Sequence, residues 1–330
     1  MPLLEVDSLT VDYRTSTGTI RAVEDVSFSL NKGQKLGLAG ESGSGKSTLG
    51  LSIIRLVPYP GVIAKGHIKI DGTDILKLPA HEMRSIRGGK AAYIFQDPMT
   101  SLNPVKKIGA HFVELINTHE PNTSKEEVSE RTKTVLKNLE ILPERMNDYP
   151  HQFSGGMRQR IMIGLAIALN PDLVIADEPT TALDVIVQAK ILELLENLRK
   201  MYGMALILIS HDLSIILERC DKIIIMYAGH MLEYAPSMEL HKEPKHPYTQ
   251  GLLQSIPNIE LSDQKLAAIP GSPPNMLNPP KGCSFWPRCS YAKKICQMKE
   301  PPLVNVDHNH LVRCVLYDKG EVHAERNREG

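Results

Sequence analysis

The sequence predicts an α/β fold built on a parallel sheet, and three observations predict it. A glycine-rich stretch, GESGSGKST at 40–48, stands between a short apolar run, QKLGLAG, and an apolar segment at near-helical spacing, LGLSIIRLV. The run LVIADE at 173–178 opens with four apolar residues without alternation, as strands buried on both faces do. Between about 160 and 240 further runs of this kind alternate with helical patterns, the order of a parallel sheet with crossover helices.

Composition bounds the rest. The chain has 330 residues, room for about two domains of roughly 100–200 residues. Hydrophobic residues make up 42%, enough for a sizeable core. Lys plus Arg equals 38 and so does Asp plus Glu, which argues against nucleic acid as a partner. No apolar run reaches the ~18–20 residues that span a bilayer; the longest candidate, MALILIS at 204–210, ends at His211 and Asp212. The start, MPLLEVDSL, lacks the basic end and apolar centre of a signal peptide. A cytosolic protein is expected, meeting a membrane only through partners.

Taken in order, the elements carry the following chemistry. Gly40, Gly45, Lys46 and Ser47 fit G-x-x-x-x-G-K-[ST] between a strand and a helix. Its glycines let the backbone N–H groups of the loop, Glu41, Ser42, Gly43 and Ser44 included, converge on phosphate oxygens at a helix N-terminus. Lys46 reaches the β- and γ-phosphates, Ser47 ligates Mg²⁺ and Thr48 adds a hydrogen bond. HIKIDGTDI holds an Asp71-Gly72 hairpin signal. Gln96, in YIFQDP, follows an apolar run and precedes the Asp97-Pro98 turn signal. TSKEEVSERTKTVLKNLEIL predicts a helix with a capping box of Thr123 and Glu126 and apolar Val128, Val135, Leu136 and Leu139.

Ser154, Gly155 and Gly156, in SGGMR, precede an apolar helix from Ile161 to Leu169 and predict a second anion-binding corner. A plain N-cap with a hinge accounts for the same residues, and one nucleotide does not need two corners. Asp177 and Glu178 end the apolar strand, where open α/β sheets bind ligands. Asp177 is placed to bind Mg²⁺ and Glu178 to activate water, against the plainer reading of two solvated acids. His211 ends LILISHD, a strand read as the neighbour of that one, and so could face the γ-phosphate. In the tail, six prolines between 270 and 287 predict coil with little helix. Of five cysteines, Cys283, Cys289, Cys296 and Cys314 cluster there, spaced C-x5-C-x6-C-x17-C; Cys220 stands apart as a small core residue. In a reducing compartment such a cluster favours metal over disulfides. The spacing matches neither common zinc knuckles nor the C-x2-C run of ferredoxins.

Residues 3 to about 240 resemble the nucleotide-binding subunit of an ABC transporter. The set runs in order: Walker A (40–48), Q-loop (Gln96), signature (154–156), Walker B (173–177), catalytic Glu178, D-loop (181–184) and switch histidine (His211). The signature reads FSGGM where LSGGQ is commonest, and the D-loop reads TALD rather than SALD. The resemblance implies a P-loop ATPase core with an antiparallel β section over 1–97 and 160–240. It also implies a helical subdomain over 98–159 that receives a permease's coupling helix, with an extension over 241–330. ATP would lie between two ATPase subunits, with Ser154, Gly155 and Gly156 acting in trans and Gln96 beside Mg²⁺. Tyr13 matches the aromatic that stacks on adenine, against an ordinary half-buried strand role.

HPYTQGLLQSIP (246–257) and IPGSPPNMLNPPKGCSFWPRC (269–289) resemble the extension of oligopeptide and dipeptide importer ATPases, which nickel importers share. This implies a second, related ATPase subunit in a heterodimer, two permeases, an external binding protein and a place on the cytoplasmic face of the membrane. It favours a [4Fe-4S] cluster on the four cysteines over Zn²⁺. The rivals are a nickel importer of the same branch, a soluble ABC ATPase working on DNA or ribosomes, and a redox protein with a degenerate ATPase.

Overall fold

The computed structural model describes residues 1–97, 101–181, 183–256, 268–307 and 309–318. The expected elements at Ala182 of the D-loop and Pro257 of the extension, and the stretches 98–100, 258–267 and 319–330, lie outside them.

Strands β1 (Leu4–Thr15) and β2 (Gly18–Leu30) form an antiparallel hairpin, and β3 (Lys35–Ala39) leads into α1 (Lys46–Ile53). β4 (Gly61–Ile70) returns along β1 and turns into β5 (Thr73–Asp74) through Asp71 and Gly72, both at positive φ, as the hairpin signal predicted. The first sheet therefore runs β2-β1-β4-β5. Next come α2 (Ala80–Ile86), β6 (Ala91–Ile94), α3 (Ile108–His119), α4 (Lys125–Asn138), α5 (Gly155–Ile167) and β7 (Leu173–Asp177). The chain continues through α6 (Val185–Tyr202), β8 (Ala205–Ile209), α7 (Leu213–Arg219), β9 (Lys222–Tyr227) and β10 (His230–Pro236). It ends with α8 (Ser237–Lys242), α9 (Pro247–Gln254), α10 (Lys294–Met298), β11 (Leu303–Asp307) and β12 (His310–Arg313).

The second sheet has the order β11-β12-β10-β9-β3-β8-β7-β6. Strands β6, β7, β8, β3 and β9 are parallel, as predicted. Both faces are covered, which is why LVIA carries no polar alternation. Leu173 and Ile175 join the core shared with the antiparallel sheet, while Val174 and Ala176 join the core under α3, α5 and α6.

Three expectations change. The tail is not only coil: β11 and β12 form a hairpin, and β12 pairs with β10, Glu233 opposite Val312 and Tyr234 opposite Leu311. The buried strand β10 needs a partner on its outer edge, and the hairpin supplies it. The cap of α4 is Ser124, whose hydroxyl accepts from Glu127 N at 3.2 Å, one residue later than the predicted Thr123 box. Thr123 instead donates to Glu120. The expected boundaries at 159/160 and 240/241 fall inside α5 and α8.

Candidate active site

Four neighbouring strands, β6, β7, β8 and β3, deliver their C-terminal ends to one edge of the sheet. Gln96 lies two residues beyond β6, Asp177 closes β7, His211 lies two residues beyond β8, and the loop 40–48 follows β3. Parallel pairing in register, Asp177 opposite Ile209, is what aligns them.

The loop needs glycine at two positions. Gly40 has φ 144° and a Cβ there would stand 2.1 Å from Met226 O; Gly45 has φ 102° and its Cβ would stand 2.2 Å from Ala22 O. Both clashes are with backbone, so no side chain can relieve them. Ser42, Gly43 and Ser47 are exposed at the mouth, while Ser44 and Lys46 are buried. Lys46 Nζ donates to Gly40 O at 2.8 Å, Glu41 O at 2.9 Å and Ser44 Oγ at 3.3 Å, holding the loop curled. Burial lowers the Lys46 pKa, opposed by the charges of Glu178, Asp177 and Glu41.

Asp177 accepts from Ser47 Oγ at 3.0 Å and from Tyr93 OH at 2.7 Å. Burial pushes its pKa up and the Glu178 charge adds to this, while the hydrogen bonds from Tyr93 and Ser47 pull it down. Glu178 adopts φ 45°, a left-handed conformation that costs of order 1–3 kcal/mol in a non-glycine residue and turns its carboxylate out of the strand. That carboxylate accepts from Gln96 Nε2 at 2.8 Å and Thr181 Oγ1 at 2.8 Å, and His211 Nδ1 lies 3.3 Å away. Gln96, expected beside Mg²⁺ with Ser47, is thus bound to Glu178, and Ser47 is bound to Asp177. Tyr13 OH lies 3.4 Å from Thr48 Oγ1, so this half-buried strand residue borders the loop.

Ser154 caps α5, its hydroxyl accepting from Met157 N at 3.4 Å, and is exposed. A Cβ on Gly156 would meet Val187 Cγ1 at 2.7 Å, so this glycine packs on the start of α6, next to the D-loop. Among the described residues, no hydrogen bond joins Ser154, Gly155 or Gly156 to residues 40–48. The structure assembles the strand-end residues within one chain and leaves this corner facing outward.

Cys283, Cys289, Cys296 and Cys314 line one small cavity together with Trp286 and Pro301, and none forms a disulfide. Burial pushes the Cys283 thiol up to about 11 and that of Cys314 to about 12, and raises Cys289. Among the described residues, no group of three or more His, Cys, Asp or Glu side chains is gathered closely enough to hold a metal ion.

Sequence reading named Thr181 as the first residue of the D-loop, and the structure turns its hydroxyl onto Glu178. It missed Tyr93, which stands three residues before Gln96 and whose strand register opposite Ile175 was the available signal. It also missed Arg288 and Tyr248, which reach Glu41 from the extension with no signal in the sequence.

A family model described as ABC transporter matches residues 23–181, and one described as the C-terminal region of oligopeptide/dipeptide transporters matches 232–296. The chain is 46% identical over 318 residues to the oligopeptide transport ATP-binding protein OppD of Bacillus subtilis, covering 95% of this chain and 88% of that one. It is 44% identical over 316 residues to the dipeptide transport ATP-binding protein DppD of Haemophilus influenzae, covering 95% of each. Among solved structures it is similar to the ATP-binding cassette MJ0796, described as a dimer in a post-hydrolysis state bound to ADP and Pi. That likeness has a TM-score of 0.63 and 29% identity, and covers 71% of this chain and 98% of that one.

Proposed function

The chain belongs to the ABC transporter ATP-binding proteins of the oligopeptide/dipeptide type, and from that premise we propose that it hydrolyses ATP to drive peptide import. The observation that carries the reading is the cradle around Glu178, built from Gln96, Thr181 and His211 beside Lys46, Ser47 and Asp177.

In this mechanism Lys46 and the amides of residues 40–48 bind the phosphates, and Tyr13 borders the adenine side. Ser47 and Asp177, two hard oxygen donors in contact, suit Mg²⁺, which when bound neutralises phosphate charge. Gln96 and Thr181 aim the Glu178 carboxylate, which takes the proton of the attacking water. His211 steadies the γ-phosphate. The products are ADP and phosphate. Glu178→Gln should keep ATP binding and lose most turnover; turnover within twofold of wild type would remove Glu178 from this role.

The outward-facing Ser154 corner supports a partner ATPase subunit, with each subunit completing the other's site; a heterodimer is the proposed form. Two permeases and an external binding protein complete the proposed importer, which places this chain on the cytoplasmic face. A cleft of about 480 Å³, lined by Leu56, Tyr93, Phe95, His111, Leu115 and Leu165, lies between β6 and the helical insert and suits a permease segment. No helix among the described residues is long and apolar enough to cross a membrane. Transport assays with labelled di- and oligopeptides, with nickel as the competing outcome, identify the cargo.

A [4Fe-4S] cluster at Cys283, Cys289, Cys296 and Cys314 rests on four soft sulfur donors that line one cavity; as the side chains stand they are not close enough to hold a metal, so a cluster would have to draw them together. Ligation would hold Cys283, Cys289 and Cys314 as thiolates, against the burial that raises their pKa values. Iron and acid-labile sulfide in protein purified without oxygen test it, and zinc in their place would end the cluster reading.

A further inference from the structure

Two arms reach from the cysteine-bearing segment 283–289 to one residue of the phosphate-binding loop. Arg288 Nη1 and Nη2 donate to Glu41 Oε2 and Oε1 at 2.8 and 3.0 Å, a bidentate pair across 247 residues of chain. The Arg288 side chain is only 7% exposed, and its Nε donates to Pro270 O at 2.8 Å, so the guanidinium is fixed. The second arm runs through Phe285, whose ring stands 5.2 Å from that of Tyr248. Tyr248 OH accepts from Glu41 N at 3.0 Å. Side chain and backbone of Glu41 are thus both held by the extension or by a residue packed on it.

The chemistry gives this contact a consequence. Glu41 puts a carboxylate into a loop that must receive anionic phosphate. Uncancelled, that charge opposes the ligand; paired with a fixed guanidinium, it does not. Arg288 also ends the short 3₁₀ turn Trp286–Arg288, directly before Cys289, whose N–H donates to Trp286 O at 3.2 Å. A shift of Cys289 therefore moves Arg288.

We propose that Arg288 is a positioning residue for nucleotide: it cancels and anchors Glu41, and through it the four-thiol segment and the nucleotide pocket are coupled. The proposal rests on reading residues 40–48 as the ATP site. Coupling of this kind is reciprocal, so nucleotide must act back on the thiols.

Titration of the full chain with a fluorescent ATP analogue tests the charge argument. Arg288→Met should weaken binding about tenfold, Arg288→Lys should retain most of it, and adding Glu41→Gln to Arg288→Met should return affinity to within about threefold of wild type. A merely structural role predicts no such rescue. Equal affinity for Arg288→Met and wild type, or a double variant as weak as Arg288→Met, overturns the proposal. Lys46→Ala in parallel separates the premise: analogue bound by Lys46→Ala as tightly as by wild type removes the ATP-site reading itself. Alkylation of Cys289 by iodoacetamide in full-length protein shown by metal and sulfide assay to carry no iron or zinc, followed by mass spectrometry, reads the return direction. The analogue should slow it several-fold in wild type and leave Arg288→Met unaffected; equal rates with and without analogue in wild type overturn the coupling.

Discussion

The strand-end cluster and the cysteine-bearing extension both bear on the loop 40–48, but they reach it differently. Gln96, Asp177, Glu178 and His211 arrive because parallel strands deliver their C-terminal ends to one edge, so the sheet's own register aims them. Arg288 and Tyr248 arrive by contacts spanning 247 and 207 residues, with no ladder to impose them. The first region is positioned by backbone pairing and the second by side-chain packing. The first should therefore tolerate substitutions without losing its geometry, losing chemistry instead, whereas the second should lose its seat.

Glu178→Gln gives the largest expected effect on this comparison. The amide keeps the hydrogen bonds but not the base, so turnover should fall about 10²–10⁴-fold with ATP binding kept. Steady-state phosphate release beside calorimetry measures both. Lys46→Ala comes next, because charge-assisted hydrogen bonds contribute about 1.5–3 kcal/mol each. Calorimetry should show nucleotide affinity down about tenfold or more, with the melting temperature little changed.

Where the extension is seated on the sheet, the corresponding break is Glu233→Gln on β10. Glu233 is fully buried, accepts from Lys245 N at 2.7 Å and His246 N at 3.0 Å, and meets His310 Nε2 at 2.6 Å. It pins α9 and β12 to β10, so its loss should cost about 2–3 kcal/mol and expose the extension to limited proteolysis. ATP affinity should fall less than with Lys46→Ala; an equal fall would mean the two regions are one unit.

The smallest effect tests the core alone. Arg199 hydrogen-bonds Glu196 and, with Lys35, holds its carboxyl down to about 2. Arg199 also donates to Gly33 O at 2.7 Å, tying α6 to the approach to β3. A depressed carboxylate stabilises the fold above its unfolded pKa, and this is lost as pH falls through the folded value. Glu196→Gln should therefore be less stable than wild type by about 2 kcal/mol at pH 7. The gap should narrow below about pH 4.5 and close near pH 2, as denaturant titrations at several pH values would record.

The same contrast explains what was legible in the sequence. Strand–loop–helix punctuation located Gly40, Lys46 and Ser47, and the apolar run into Asp177-Glu178 located the facing acids, because each depends on local patterning. The Asp71-Gly72 turn was legible for the same reason. The cap of α4 was misplaced by one residue because Thr123 and Ser124 are both good cap residues and only the helix's entry angle chooses between them. The hairpin of β11 and β12 was missed because the proline-rich stretch before it dominates composition, and the edge of β10 that it fills is visible only in three dimensions. The pairing of Gln96 with Glu178 and the salt bridge of Arg288 to Glu41 left no trace in spacing.

The claim on which the account turns is that this chain supplies one half of each ATP site, with Ser154 serving the pocket of a neighbour. Ser154→Ala, measured both as an isolated subunit and in the assembled transporter, tests it most directly. The account predicts unchanged ATP affinity for the isolated chain and at least a tenfold loss of turnover in the assembly. Weakened binding in the isolated chain, or undiminished turnover in the assembly, would contradict it.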